Sequence, residues 1–221
     1  MVREQLMDRG IGDTRVLEAM LRVPRHVFLD RDAGSEAYSD HSFPIGYAQT
    51  MSAPYMVGYL CEQLALTGAE RVLEIGTGSG YHAAVLSSLA RDVYSVERVR
   101  ELAAKAEASL REGLFVNVHV RGGDGALGWP DAAPFDRILM TAAAKQVPAE
   151  LLVQLREGGM FLGPVEKEDG SQEIVRLMRE GDTFTMQRLI GCAFVPLVRE
   201  VPAPAAEAAG VALPRGEGHA G

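Results

Sequence analysis

Residues 72–86 read VLEIGTGSGYHAAVL. A short apolar run passes into three glycines, Gly76, Gly78 and Gly80, and then into a helical pattern. Glycine permits a tight turn and lets a ligand approach the backbone, and the first turn of a helix leaves N–H groups unpaired. A strand, a glycine loop and a helix in this order predict a nucleotide-type ligand site at the start of an α/β sheet. The spacing discriminates between ligands. The dinucleotide fingerprint is G-x-G-x-x-G, whereas here the third glycine comes one residue early and Tyr81 follows it. Glu74 stands inside the strand, two residues before Gly76. A carboxylate there repels a pyrophosphate and suits a ligand with a cationic amino-acid end.

Outward from the motif, apolar runs and helical periods alternate. Strands are expected at 71–75, 92–97, 116–120, 135–140 and 160–164, with helices at 81–90, 99–112 and 148–155 between them. This alternation predicts a mostly parallel sheet with helices on both faces. Residues 173–177 and 184–189 read as a hairpin pair and 192–198 as a last strand, with no helix between, which predicts an antiparallel edge. Upstream, 53–66 reads as a helix. Residues 23–53, broken by Pro24, Gly34, Pro44 and Gly46, read as a long loop. Its Phe28, Tyr38, Phe43 and Tyr47 make it ordered and packed. Residues 1–22 read as helical, with Asp13 as an N-cap. From about Glu200 the sequence turns to Ala, Pro, Gly and Glu, which predicts a disordered tail over 200–221. The division expected is one folded unit over 1–199.

The bulk numbers exclude several classes. A net charge of −8 and a pI near 5.2 give no general attraction to nucleic acid. Cys61 and Cys192 lie in apolar runs and read as free thiols, and no Cys/His cluster has metal-ligand spacing. The stretch MVREQLMDRG lacks the apolar core of a signal peptide, and no apolar run reaches membrane-spanning length. A cytoplasmic, metal-free monomer is the expectation.

Two further acidic residues follow the strands in phase. Glu97 ends the second strand, where a carboxylate can accept both ribose hydroxyls. Asp124, in Gly123-Asp124-Gly125, follows the third and stands where it can meet an adenine edge. A ribose, an adenine, an ammonium and no phosphate describe S-adenosylmethionine. Thr141 follows the fourth strand, where open α/β sheets bind ligands, and makes 141–144 a floor for the site.

The segments AYSDHSFPIGYAQTMSAPYMV, RVLEIGTGSGYHAAVL, VYSVE, GGDGALGWPDAAPFDRILMTAA, LLVQLREGGMFLGPV and FVPL span roughly Tyr38 to Leu197. Together they resemble the protein-L-isoaspartate O-methyltransferase family. The glycine loop is shared by many methyltransferases; PIGYAQTMSAP and GDGxxGWPxxAPFD are far more particular. The resemblance implies a Rossmann-like S-adenosylmethionine-dependent methyltransferase fold. It implies a cofactor core over 54–199 and an N-terminal substrate-side segment over 1–53. The implied reaction is methylation of the free α-carboxylate of L-isoaspartyl residues in damaged proteins and peptides. The resemblance assigns Ser52 to the catalytic serine, orienting the acceptor carboxylate, with Thr50 as its helper. Cofactor contacts are expected from Glu74, Gly76, Thr77, Gly78, Ser79, Gly80, Tyr81, Glu97, Asp124, Gly125 and Thr141.

A carboxylate nucleophile is ionised at neutral pH, so the chemistry needs positioning more than a base. Ser52 before Ala53-Pro54 also reads as a helix cap, and the two roles are compatible. Competing readings are a small-molecule or RNA methyltransferase, a non-catalytic binding module and, third, a dehydrogenase. Against an amino-group acceptor, the fourth strand is followed by MTAAAKQVP, with no N/D-P-P-Y/F motif. Two positions depart from the family pattern. Glu166 follows Val165 where Gly is common, although Gln172 is kept. Ala48 replaces a frequent Gly, which is tolerable if the backbone there is not left-handed.

Overall fold

The computed structural model describes residues 1–29 and 31–199, so the expected tail lies outside the described residues. Asp13 accepts hydrogen bonds from the Arg15 and Val16 N–H groups and starts α1 (Thr14–Arg22), as its position predicts. The segment read as loop contains short 3-10 turns and a hairpin, β1 (Phe43–Gly46) and β2 (Gln49–Met51). Tyr47 and Ala48 join its strands with φ of 54° and 53°. Two left-handed residues in a two-residue turn are the geometry that hairpins usually give to Asn-Gly. The condition under which Ala48 would be tolerable therefore fails, and its Cβ carries the strain.

α2 (Pro54–Gln63) comes next, then β3 (Arg71–Ile75), α3 (Tyr81–Ser87), β4 (Asp92–Glu97), α4 (Arg100–Glu112) and β5 (Val118–Gly122). β6 (Phe135–Met140), α5 (Ala149–Leu152), β7 (Leu155–Glu166), β8 (Gln172–Glu180) and β9 (Thr183–Cys192) complete the chain of elements. β5 starts two residues later than the pattern predicts. Leu114 turns left-handed, with φ of 59°, to close the end of α4, and this leaves Val116 exposed. β7 starts five residues earlier than expected, pairing Leu155 with Phe135 before a register shift, and this shortens α5. The last strand expected at 192–198 does not form. Ala143 makes a single bridge there, donating to the Val195 carbonyl and accepting from the Leu197 N–H, while Pro196 between them has no N–H to extend a ladder.

The main sheet has the order β5-β4-β3-β6-β7-β8-β9. β3 to β7 are parallel and β8 and β9 antiparallel, which gives the expected mixed sheet. The apolar side chains on and around it fall into two buried groups. Val72, Leu86, Val93 and Leu162 pack with the N-terminal helices and α2. Leu73, Ile138, Phe161 and Leu151 pack with the 132–155 region. The chain runs outward from β3 through β4 to β5, then returns to the other side of β3 as β6. Ligands bind at such a reversal, beyond the strand C-termini.

Replacing Ala48 with Gly removes the Cβ from a left-handed position. We expect Ala48→Gly to stabilise the protein by about 1 kcal/mol. A urea melt with an unchanged or lower midpoint would show that the turn carries no strain.

Candidate active site

The glycine loop leaves β3 at the reversal. Gly76, Gly78 and Gly80 have φ of 100°, 54° and 90°, so each adopts a conformation that side chains resist. Gly76 has a second constraint, because a Cβ there would collide with the Thr141 hydroxyl. That hydroxyl is shared between the Ile75 and Gly76 carbonyls at 2.9 and 3.0 Å and ties the end of β6 to the loop. Gly80 packs on Ala106 and Leu110 of α4, so its task is to seat that helix rather than to meet a ligand.

Beyond the strand ends lies a cleft of two lobes. The larger, about 220 Å³, is lined by Ser42, Thr50 to Val57 in part, the loop residues Gly76 to Ser79, Tyr81, His82 and Thr141. The smaller, about 60 Å³, is lined by Gln49, Ile75, Val96, Glu97, Arg98 and Gly125. Thr50, Gly76, Gly78, Thr141 and Val195 face both lobes. The structure thus brings together most of the residues singled out in the sequence: Thr50, Ser52, Gly76, Thr77, Gly78, Ser79, Tyr81, Glu97, Gly125 and Thr141. Glu74, Gly80 and Asp124 do not line it.

Ser52 does not cap α2. The cap position is Ala53, with no side-chain bond, and Asp40 fills the role by accepting from the Tyr55 N–H at 3.0 Å. Asp40 is held in turn by Arg9. The Ser52 hydroxyl is thereby left without a hydrogen-bond partner among the described residues, and Ser52 lines the larger lobe. Its carbonyl points the other way, accepting from Arg25 at 2.6 Å. Arg25 is fully buried, which lowers its pKa; it also donates to the Ala37 carbonyl and lies 4.9 Å above the Tyr81 ring.

Glu97 is buried at the end of β4 and accepts from the Gly78 and Val99 N–H groups at 2.8 and 2.9 Å. These bonds pin the carboxylate against the glycine loop, on the wall of the smaller lobe. Asp124 caps the next turn by accepting from the Ala126 N–H, and Arg199 stands 3.9 Å away. Gly125, its neighbour, forms the wall instead, and a side chain there would meet Ile75.

Glu74 sits behind the loop with no exposed surface. Ser95 donates to it at 2.5 Å and shares a 2.6 Å bond with Thr77, which does reach the cleft. Its Oε1 is buried without a hydrogen-bond partner. Burial pushes the Glu74 carboxyl up to about 8, against the opposing Ser95 bond. Burial also pulls the neighbouring His82 down to about 3. The 4.0 Å approach of His82 to Glu74 is therefore a contact between neutral groups, and the other ring nitrogen of His82 meets the Cys61 sulfur at 3.4 Å.

The segment after β9 roofs the cleft. Ala193, Phe194 and Val195 cover the larger lobe, and Val195 to Val198 the smaller. Gln172 clamps it, accepting from the Phe194 N–H at 2.7 Å and donating to the Phe194 carbonyl at 3.1 Å. The roof, Ser42, Gln49, Ala53 and His82 are lining residues that motif reading missed. The one available signal was the FVPL string, which carries no chemistry of its own.

The profile of the protein-L-isoaspartate(D-aspartate) O-methyltransferases matches residues 1–202. The chain belongs to this family. It is 53% identical over 201 residues to protein-L-isoaspartate O-methyltransferase 2 of Marinobacter nauticus, covering 90% of this chain and 92% of that one. The Geotalea uraniireducens protein of the same name is 48% identical over 199 residues, with 90% and 91% covered. A solved protein-L-isoaspartate O-methyltransferase superposes with a TM-score of 0.83 at 28% identity, over 91% of this chain and 67% of that one. A Plasmodium falciparum structure in complex with S-adenosyl-L-homocysteine shares the fold, with a TM-score of 0.79 at 24% identity and coverage of 90% and 97%.

The buried Glu74 makes a pH signature. In the unfolded chain its carboxyl ionises near its ordinary value, and in the folded protein only near 8. Between those values the unfolded state gains from ionisation and the folded state does not, so stability falls as pH rises. Ligand-free Glu74→Gln lacks this loss. Its stability relative to the parent should grow by about 1 kcal/mol per pH unit from pH 5 to 8. Parallel pH profiles in denaturant melts would refute the shift.

Proposed function

We propose that this chain transfers a methyl group from S-adenosylmethionine to the free α-carboxylate of L-isoaspartyl residues in damaged proteins and peptides. Beyond family membership, one observation carries the reading: Ser52, relieved of capping by Asp40, lines the same lobe as the glycine loop.

The residues present fit the cofactor. The loop bears no lysine for a phosphate, and a carboxylate, Glu97, is pinned where a ribose diol would sit. Ile75, Val96, Gly125 and Leu197 give that lobe flat apolar walls suited to an adenine. Thr77, Ser79 and the backbone of Gly76 and Gly78 would hold the amino-acid end, with Glu74 acting through Ser95 and Thr77 rather than by contact. Asp124 would set the Gly125 wall and Gly80 the seat of α4. When bound, S-adenosylmethionine supplies a methyl group already activated by a sulfonium charge.

The chain's own contribution is orientation. The acceptor carboxylate is ionised at neutral pH, and no described group near Ser52 needs to remove a proton. His82, the one imidazole in the lobe, is buried and held neutral. Ser52 donates to one carboxylate oxygen, and Thr50, two residues earlier on β2, assists from the boundary of the two lobes. The roof clamped by Gln172 limits water at the reacting centre. A carboxylate acceptor and a bound methyl donor held in line react faster by proximity alone.

Residues 1–53 form the acceptor side of one methyltransferase unit in this reading and 54–199 the cofactor side. Both cysteines are free, and no helix among the described residues is long and apolar enough to cross a membrane. With a cleft complete in one chain, these features support a cytoplasmic monomer.

The test uses labelled S-adenosylmethionine and two peptides of one sequence, one with an isoaspartyl and one with a normal aspartyl linkage. Base-labile label is expected on the isoaspartyl peptide alone. Ser52→Ala should lower kcat/KM about 10- to 100-fold, the worth of one hydrogen bond to a charged group, with S-adenosylhomocysteine affinity nearly unchanged. Label on neither peptide, with cofactor bound, would leave another acceptor or a non-catalytic module. On the cofactor side, Glu97→Ala should weaken S-adenosylhomocysteine binding at least about tenfold by calorimetry. Unchanged affinity would remove Glu97 from the cofactor site.

A further inference from the structure

The larger lobe is to receive an anion, yet no lysine or arginine lines it. A permanent cation stands one layer behind. Arg25 is fully buried, donates to the Ala37 carbonyl at 2.7 Å and to the Ser52 carbonyl at 2.6 Å, and its Nη1 has no partner among the described residues. Burying a guanidinium without a carboxylate partner costs stability, and an apolar side chain of similar volume is often the more stable choice. Its fork joins two loops, which a lysine cannot do with the same geometry.

The Ser52 carbonyl and the Ala53 N–H belong to one peptide unit. That unit is trans, the cis bond among the described residues being Ala133–Pro134, so its N–H points opposite to its C=O. The C=O is aimed at the buried guanidinium. The N–H makes no hydrogen bond to another described residue, and Ala53 lines the lobe beside Ser52. A hydrogen bond accepted at the carbonyl polarises the peptide and strengthens its N–H as a donor.

We propose that Arg25 is a positioning residue for the methyl acceptor: by holding the Ser52 carbonyl it turns the Ala53 N–H into the lobe, where it and the Ser52 hydroxyl form a two-donor seat for the substrate carboxylate. This rests on the acceptor being a carboxylate, as proposed above. Carboxylate charge is consumed as the methyl group arrives, so these donors bind and orient the ground state more than they stabilise the transition state. Their loss appears chiefly in KM.

Two variants test the seat. Arg25→Met removes the clamp. Ala53→Pro deletes the N–H at a residue whose φ of −55° already suits proline. Each should raise KM for the isoaspartyl peptide about tenfold, with S-adenosylhomocysteine affinity changed less than about twofold. Arg25→Lys should recover part of the loss. In the Ala53→Pro background, Arg25→Met should add little further, because both act through one N–H. The proposal is overturned by unchanged KM in both variants, by strictly multiplicative effects in the double variant, or by cofactor affinity falling in step with KM. If Arg25→Met does not fold, Arg25→Lys takes its place in the cycle. A parent protein that binds S-adenosylhomocysteine but methylates no isoaspartyl peptide would overturn the carboxylate reading itself, and the seat with it.

Discussion

Three left-handed residues within five positions, at the point where the sheet reverses direction, set everything else. Gly76, Gly78 and Gly80 let the chain leave β3, expose its backbone to the cleft and enter α3 without a side chain in the way. Thr141 closes this loop from the β6 side and Glu97 from the β4 side, so neighbours of β3 on both sides hold it. The turn is therefore fixed by three strands at once. A ligand that reads its shape meets a preorganised surface rather than one it must order, and ordering is the cost that weakens binding.

Charge is distributed around the cleft in a way that matches the two lobes. The smaller holds the carboxylate of Glu97 on its wall. The larger presents hydroxyls, backbone, methionines and a neutral imidazole, with the Glu74 carboxyl kept behind the loop. An ionised carboxylate facing this lobe would repel an anionic acceptor. Burial keeps Glu74 largely protonated at neutral pH, so a polar link to Thr77 is retained without that repulsion.

Much of this was legible in the chain. The glycine spacing, with acidic residues placed in phase after successive strands, predicts the ligand class because each strand end falls at the same edge of the sheet. Strand identity was readable for β3, β4 and β6, whose short apolar runs are marked off by Gly76 after β3, the charge of Glu97 at the end of β4 and Pro134 before β6. The cap at α2 was not. Ser52 has the sequence position of a cap, but Asp40, fifteen residues before Tyr55, supplies the oxygen, and no local pattern encodes a contact across that loop. The roof escaped for a related reason. Residues 193–198 look like a strand, and one proline together with the Gln172 side chain turns them into a cover.

The same separation leaves Ser52 free for the acceptor role proposed above. A serine hydroxyl in a cap is spent on a backbone N–H, and a ligand must compete for it. Here Asp40 takes the N–H of Tyr55 that a serine cap would bind, and Arg25 takes the carbonyl of Ser52, so the hydroxyl and the Ala53 N–H are left unspent. What is left for an acceptor are two neutral donors of modest strength. For a carboxylate nucleophile that is an advantage. A stronger donor or a contacting cation would hold the charge that has to be given up as the new bond forms, stabilising the transition state less than it deepens the ground state and so raising the barrier. Keeping Arg25 one peptide away and fully buried places its charge where it shapes the seat without gripping the nucleophile.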